Sequence, residues 1–304
     1  LFRSLSVKQV SRVKNGNPRL IDDPRNLLYR EFIRLAKECA PKFFVMENVK
    51  GITSYRNGRI IQEIEEEFEN VGYDVDHRVL DAAEFGVPQH RKRIILIRLS
   101  LCLSRFIHSA QCSPSNGFVT VWNAIRDLPT LRAGGGKEVM EYNKLTSHSY
   151  QEWSKTGSPF VYNHVARPHS KRDVETFRCM RLGSKWKDLP KKYKDMYGYR
   201  DDIFNDKFKR LWKNKPSWTV TAHLCKDGYV YIHPTQSRTI TVREAARLQS
   251  FPDRFVFSGS RTSQFRQVGN AVPPLMAKAI ALGIRGALRD FCQVPLERTA
   301  LPAF

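Results

Sequence analysis

Five residues in the first third of the chain have the types and the spacing to do chemistry. An apolar run, Phe43-Phe44-Val45-Met46, ends in Glu47-Asn48-Val49, and further on a Gly86-Val87-Pro88 turn leads through Gln89-His90-Arg91-Lys92-Arg93 into Ile94-Ile95-Leu96-Ile97. A carboxylate can bind and share a proton, and a guanidinium can hold a carbonyl or a phosphate. Polar groups that end or open buried strands lie at the rim of an α/β sheet, where such folds keep their sites. The plain alternative is an ion pair of Glu47 with Arg91 or Arg93.

The surrounding pattern supplies elements to position them. Asp22-Asp23-Pro24 has the form of a helix start, and Leu27, Leu28, Phe32, Ile33, Leu35 and Ala36 follow at helical spacing toward Pro41. A strand is expected over Phe43–Met46, an amphipathic helix over Gly58–Asn70, a strand from Gly72-Tyr73 toward Leu80, and another over Arg93–Leu99. Helix, strand, helix, strand, strand is half of a doubly wound sheet. The stretch 101–235 reads as irregular. Structure resumes at Arg238, where Thr241 and Glu244 form a capping-box pattern ahead of Val242–Leu248, and Pro273–Leu288 reads as a second apolar helix.

Charge narrows the partner. Lys and Arg number 51 against 30 acidic residues, for a net charge of +21, which favours a polyanion. Residues 101–240 hold 24 basic and 12 acidic side chains. Within 171–215, Lys185, Lys187, Lys191, Lys192, Lys194, Lys207, Lys209 and Arg210 alternate with Trp186, Tyr193, Tyr197, Phe208 and Trp212. Cations and rings so mixed suit a nucleic-acid surface, although the rings could equally build a small second core. Six cysteines without a Cys-x-x-Cys pair argue against a zinc ribbon or a disulfide framework and fit a reducing, intracellular compartment, and no metal site is expected. No uninterrupted apolar run has the length of a membrane span, so no membrane partner is expected.

Taken together, the motifs resemble the DNA cytosine-5 methyltransferases. Met46-Glu47-Asn48-Val49 is similar to that family's glutamate-asparagine-valine motif, and Gln89-His90-Arg91-Lys92-Arg93 to its glutamine-x-arginine-x-arginine motif. Asp23-Pro24-Arg25-Asn26-Leu27-Leu28, Arg238–Asp253 and Gln267–Pro274 resemble its fifth, ninth and tenth motifs, in family order. The resemblance implies an α/β, Rossmann-like S-adenosylmethionine-dependent sheet with a smaller recognition domain. The expected division is a partial catalytic domain at 1–100, target recognition at 101–237, the rest of the catalytic domain at 238–290, and a tail at 291–304. It further implies S-adenosyl-L-methionine as cofactor, double-stranded DNA as partner, and a cytosine flipped from the stack. Glu47 would bind N3 and the exocyclic amine of that cytosine, Arg93 its O2, and Arg91 a phosphate or the nucleophile loop. Asn48, Gln89 and Thr219 match substrate-side positions; Leu28, Asn270 and Ala271 match cofactor-side positions, the last two at a helix start. Arg243 and Arg247 are expected to brace a domain junction.

The family's Pro-Cys-Gln nucleophile motif and its phenylalanine- and glycine-rich cofactor loop have no match here. No cysteine of the chain lies between a proline and a glutamine, and Cys39 is expected in a helix core. The expectation is therefore an N-terminally incomplete sheet that begins just past the nucleophile, with Phe2-Arg3-Ser4 as that loop's tail. The missing part would be lost or supplied by a complementing chain, and the polypeptide alone would be inactive. A non-catalytic DNA-binding remnant and an RNA cytosine-5 methyltransferase are the alternatives. The location would be cytoplasm and nucleoid in a bacterium, the nucleus in a eukaryote.

Overall fold

The structure, a computed structural model, describes residues 28–98, 117–199 and 207–293, without the side chains of 54–57 and 290–293. The expected Asp22–Leu27 helix start, the 1–22 lead, Phe2-Arg3-Ser4 and the end of the tail lie outside the described residues. The chain divides into two compact units, one of 1–81, 92–111 and 278–304, the other of 82–91 and 112–277.

In the first unit, helix α1 (Leu28–Cys39) leads to strand β1 (Val45–Val49), helix α2 (Arg59–Glu69) to strand β2 (Val75–Asp81), and strand β3 (Lys92–Arg98) returns. The sheet order is β1-β3-β2, with β3 antiparallel to both neighbours. The half sheet inferred from element order thus gains a reversed central strand, inserted where a purely parallel sheet would have none. Ile94 to Ile97 are all buried, so β3 is covered on both faces and shows no alternation in its sequence. Ile60, Ile61, Ile64 and Phe68 of α2 meet Tyr29, Ile33 and Ala36 of α1 over Met46, Ile94 and Leu96. Phe44 stacks on Phe68 with centroids 4.6 Å apart. Cys39, expected in this core, is exposed at the end of α1.

Register decides what the opposite face of the sheet carries. Val49 pairs with Arg93 and Glu47 with Ile95, so Glu47 and Arg93 share the face turned from Met46, Ile94 and Leu96. Sequence placed Glu47 just beyond its strand; the structure runs the strand two residues later and puts Glu47 at its centre. A buried charge inside a strand is not legible from apolar patterning.

The second unit is more regular than its sequence suggests. It contains helix α3 (Val121–Ile125), the hairpin β4 (Gly136–Met140) and β5 (Val161–Val165), and helices α4 (Ser149–Lys155), α5 (Lys171–Cys179) and α6 (Lys191–Lys194). These precede α7 (Val242–Leu248) and α8 (Arg261–Asn270), while α9 (Pro274–Gln293) begins in this unit and ends in the first. Elements of four to nine residues are too short to show a period. Thr241 caps α7 and Glu244 closes the capping box, as the sequence indicates. Every residue of α7 is buried, and it packs with α3, α8 and β5 in one apolar cluster that includes Val121, Val161, Leu248 and Phe265. The rings interleaved with lysines mostly turn inward: Trp186 and Phe208 are fully buried with Phe177, Met180 and Leu189, with Tyr197 packed against them. Of these, the small second core holds for Trp186 and Phe208, while Trp212 stays partly exposed.

Among the described residues one stretch, Arg261–Arg289, is long and apolar enough by composition to cross a membrane. It is not one helix, since Ala271–Pro273 interrupts it, and Val268, Met276, Ile280 and Ala287 are buried in the protein.

Candidate active site

The residues singled out from the sequence fall into two sets, one in each unit. In the first unit, Glu47 Oε1 lies 2.7 Å from Arg93 Nε, and the two residues are only 4% and 7% exposed. Arg93 Nη1 also donates to its neighbour's carbonyl, Lys92 O, at 2.8 Å. Next in the strand, Asn48 Oδ1 accepts from Val49 N at 2.8 Å, but its buried Nδ2 has no hydrogen-bond partner among the described residues. An unmet buried donor is costly in a folded protein and marks a place where a ligand or water completes the bonding. Leu28, at the first turn of α1, is 42% exposed, an apolar side chain available to pack on something else.

In the second unit, Arg91 is fully buried and its guanidinium binds carbonyls: Val220 O at 2.7 Å, Gly269 O at 3.2 Å and Ala271 O at 3.0 Å. Gln89, also fully buried, donates to Leu248 O, accepts from Val220 N at 2.8 Å and contacts Gln249, whose amide in turn reaches Val268 O and Ala271 O. Two side chains of one turn thereby tie the 217–221 segment to the ends of α7 and α8. The half-buried Thr219 donates its hydroxyl to His90 O at 2.8 Å. Asn270 ends α8, and Ala271 caps it with extended backbone, so the expected helix start at these residues is instead a helix end. α8 escaped the sequence reading because its apolar residues, Phe265 and Val268, are too few to set a period.

Sequence reasoning gave Arg243 and Arg247 a bracing role but not their partners, nor the part Arg238 plays beside them. Arg247 binds Asp127, donates to Asp253 Oδ1 at 3.0 Å and Oδ2 at 2.6 Å, and reaches Ala124 O at 2.9 Å. Tyr142 donates to Asp253 Oδ2 at 2.6 Å. Arg238 makes a bidentate pair with Glu244 at 2.6 and 2.8 Å. Burial by itself would raise the Glu244 carboxyl, but the Arg238 charge overcomes it and holds Glu244 well below the usual carboxylate range. His233, buried beside them, is pushed down to about 3 by desolvation. Its Nδ1 accepts from the backbone of Thr235 and Gln236, so it is the unprotonated nitrogen. Arg243 binds three backbone carbonyls, Tyr162 O, Pro252 O and Phe255 O. The signal was present as Arg243 and Arg247, four residues apart on one helix face.

No group of three or more His, Cys, Asp or Glu among the described residues has a metal site's arrangement. Comparison with known proteins supplies the family. The model of the C-5 cytosine-specific DNA methylases matches residues 14–285. The type II methyltransferase M.DdeI of Desulfomicrobium norvegicum is 39% identical over 280 residues, 85% of this chain and 66% of its own length. M1.HphI of Haemophilus parahaemolyticus is 40% identical, with 86% and 61% covered. The chain thus spans about two thirds of the length of these curated relatives. A crystal structure of an E. coli prophage-encoded DNA modification methyltransferase superposes with TM-score 0.66 at 28% identity, covering 88% of this chain and 76% of that one. A match over most of the sequence, relatives near 40% identity and the α/β methyltransferase fold agree: the chain belongs to the C-5 cytosine-specific DNA methylases.

Proposed function

We propose that the chain is the cytosine-holding and DNA-reading part of a DNA (cytosine-5-)-methyltransferase, acting on a cytosine flipped from duplex DNA. The observation that carries this is the buried Glu47–Arg93 pair, which shares one face of the sheet. Glu47 accepts from the exocyclic amine and shares a proton with N3, and Arg93 donates to O2. Holding both edges of one base against a charged pair polarises the ring, so that charge developing on N3 is met by a preorganised group. By register Asn48 lies on the sheet face opposite Glu47, with Ile94 and Met46, so its open Nδ2 is not assigned to the base that Glu47 holds; Thr219 borders the DNA backbone. Gln89 and Arg91 work through the 217–221 and 269–271 backbone that they fix.

Leu28, Asn270 and Ala271 fit a cofactor-facing role, since the first two are exposed and the third is partly so, leaving each able to meet a ligand. When bound, S-adenosylmethionine supplies the activated methyl group. The segment 101–237 supplies target recognition, and 238–290 is the C-terminal part of the catalytic domain. Such a protein works where the DNA is, inside the cell. Because these 304 residues hold no cysteine between Pro and Gln, they bind DNA without turning over. The test pairs gel-shift titration of duplex DNA with tritium transfer from labelled S-adenosylmethionine. Duplex binding without transfer is the expected result. Transfer by the polypeptide alone overturns its inactivity, and failure to bind duplex overturns the whole reading.

A further inference from the structure

The second unit contains a cleft of about 510 Å³ on which four cationic side chains converge: Arg167, Lys207, Lys226 and Arg261. Its one lining acid among the described residues, Asp227, is engaged by Lys207 at 3.4 Å. Arg167, Lys226 and Arg261 have no ion pair among the described residues. Arg167 is held in place: Nη2 donates to the Leu224 and Cys225 carbonyls, and the guanidinium lies over the Phe265 ring, 4.8 Å from its centroid. Its buried Nε has no hydrogen-bond partner. Desolvation, and after it the charge of Arg261, pushes the Arg167 pKa down, so the group is held charged against its surroundings. Among the described residues, this fixed guanidinium with an unmet donor faces two exposed cations and no available carboxylate, a setting that suits an anion with several acceptor oxygens.

We infer that this cleft seats a backbone phosphate of the bound DNA, with Arg167 as the rigid contact and Lys226 and Arg261 as its mobile partners. The inference rests on the DNA-binding reading above. A phosphodiester fits better than a nucleobase because the lining donors outnumber acceptors and Asp227 is already paired. Such a contact sets the register of the duplex and carries no sequence information.

The experiment measures affinity of the whole chain for a mixed-sequence duplex across salt concentrations. Arg261→Gln and Lys226→Gln alter exposed side chains and leave the Leu224 tie intact, and circular dichroism checks the fold. Each is expected to lower the slope of log affinity against log salt by about 1 and to weaken binding roughly five-fold at physiological salt, equally for all sequences. Arg261→Lys keeps the slope. Lys42→Gln, the same charge change at an exposed residue outside the cleft and outside the basic 101–237 segment, leaves both quantities unchanged. An unchanged slope in the cleft variants, or an equal fall in Lys42→Gln, overturns the inference. So does a cleft variant that binds duplex normally but loses thermal protection by inorganic phosphate, which would make the cleft a small-anion site. A wild-type chain that does not bind duplex overturns this inference and the functional reading together.

Discussion

Glu47 and Arg93 show how much one residue's setting decides. The pair lies on the sheet face turned from the first unit's core, almost without solvent, and each charge is tolerable because the other is there. Truncating Glu47→Ala removes the carboxylate and leaves a buried guanidinium, a loss of about 3–5 kcal/mol. Glu47→Gln keeps the shape and an acceptor oxygen and is expected to cost less. Urea unfolding at neutral pH measures both, and midpoints of both variants equal to that of the parent chain would show the pair contributes nothing to the fold. The ion pair anticipated as the plain alternative is therefore present, and it coexists with the proposed base-binding role. What could not be read was the choice of partner: Arg91 and Arg93 are equivalent on paper, and only the Val49–Arg93 register selects Arg93, while Arg91 is spent on carbonyls.

At the level of elements, α8 carries a constraint visible in one glycine. A Cβ on Gly269 would collide with the backbone of Thr221 and Ala222, so the helix approaches that segment as only glycine permits. Gly269→Ala is expected to destabilise by about 1–3 kcal/mol through overpacking, and to loosen the Arg91 bonds to Val220 O and Gly269 O. Thermal melting reads the first effect; an unshifted melting temperature would mean the segment moves aside freely. The longer α1 and α2 were legible because burial of one face imposes a repeat, and the seven-residue α7 because its cap imposes residue types. The helices of 121–194 were not, because they are short and owe their existence to tertiary packing. The extended Ala271 cap that ends α8 was misread as a helix start for a related reason, since Pro273-Pro274 does open the helix after it.

For the molecule as a whole, three imidazoles make stability depend on pH. His233 is pushed down to about 3 and His169 to about 4, both chiefly by burial, and His164 is lowered for the same reason. A folded-state pKa below the unfolded value of about 6.5 means stability is full above 6.5 and is lost as pH falls toward the folded value. The low-held Glu244 and Asp253 carboxylates lose theirs only below about 4, the unfolded carboxylate range, so the imidazoles act alone between pH 6.5 and 5. His233 is expected to cost about 2 kcal/mol across that window. A urea midpoint that stays flat from pH 7 to 5 would contradict it. Composition foretold a polyanion partner from the +21 charge, but not that arginines such as Arg91, Arg238, Arg243 and Arg247 are internal and contribute little to the outer field. The order β1-β3-β2 also sets a timetable for synthesis. The central strand is the last of the three to leave the ribosome, so β1 and β2 wait, with unpaired edges toward each other, until residues 92–98 emerge to join them. During that interval the inner edges of both strands are open, and it is then that a chaperone or a stray strand would compete for them.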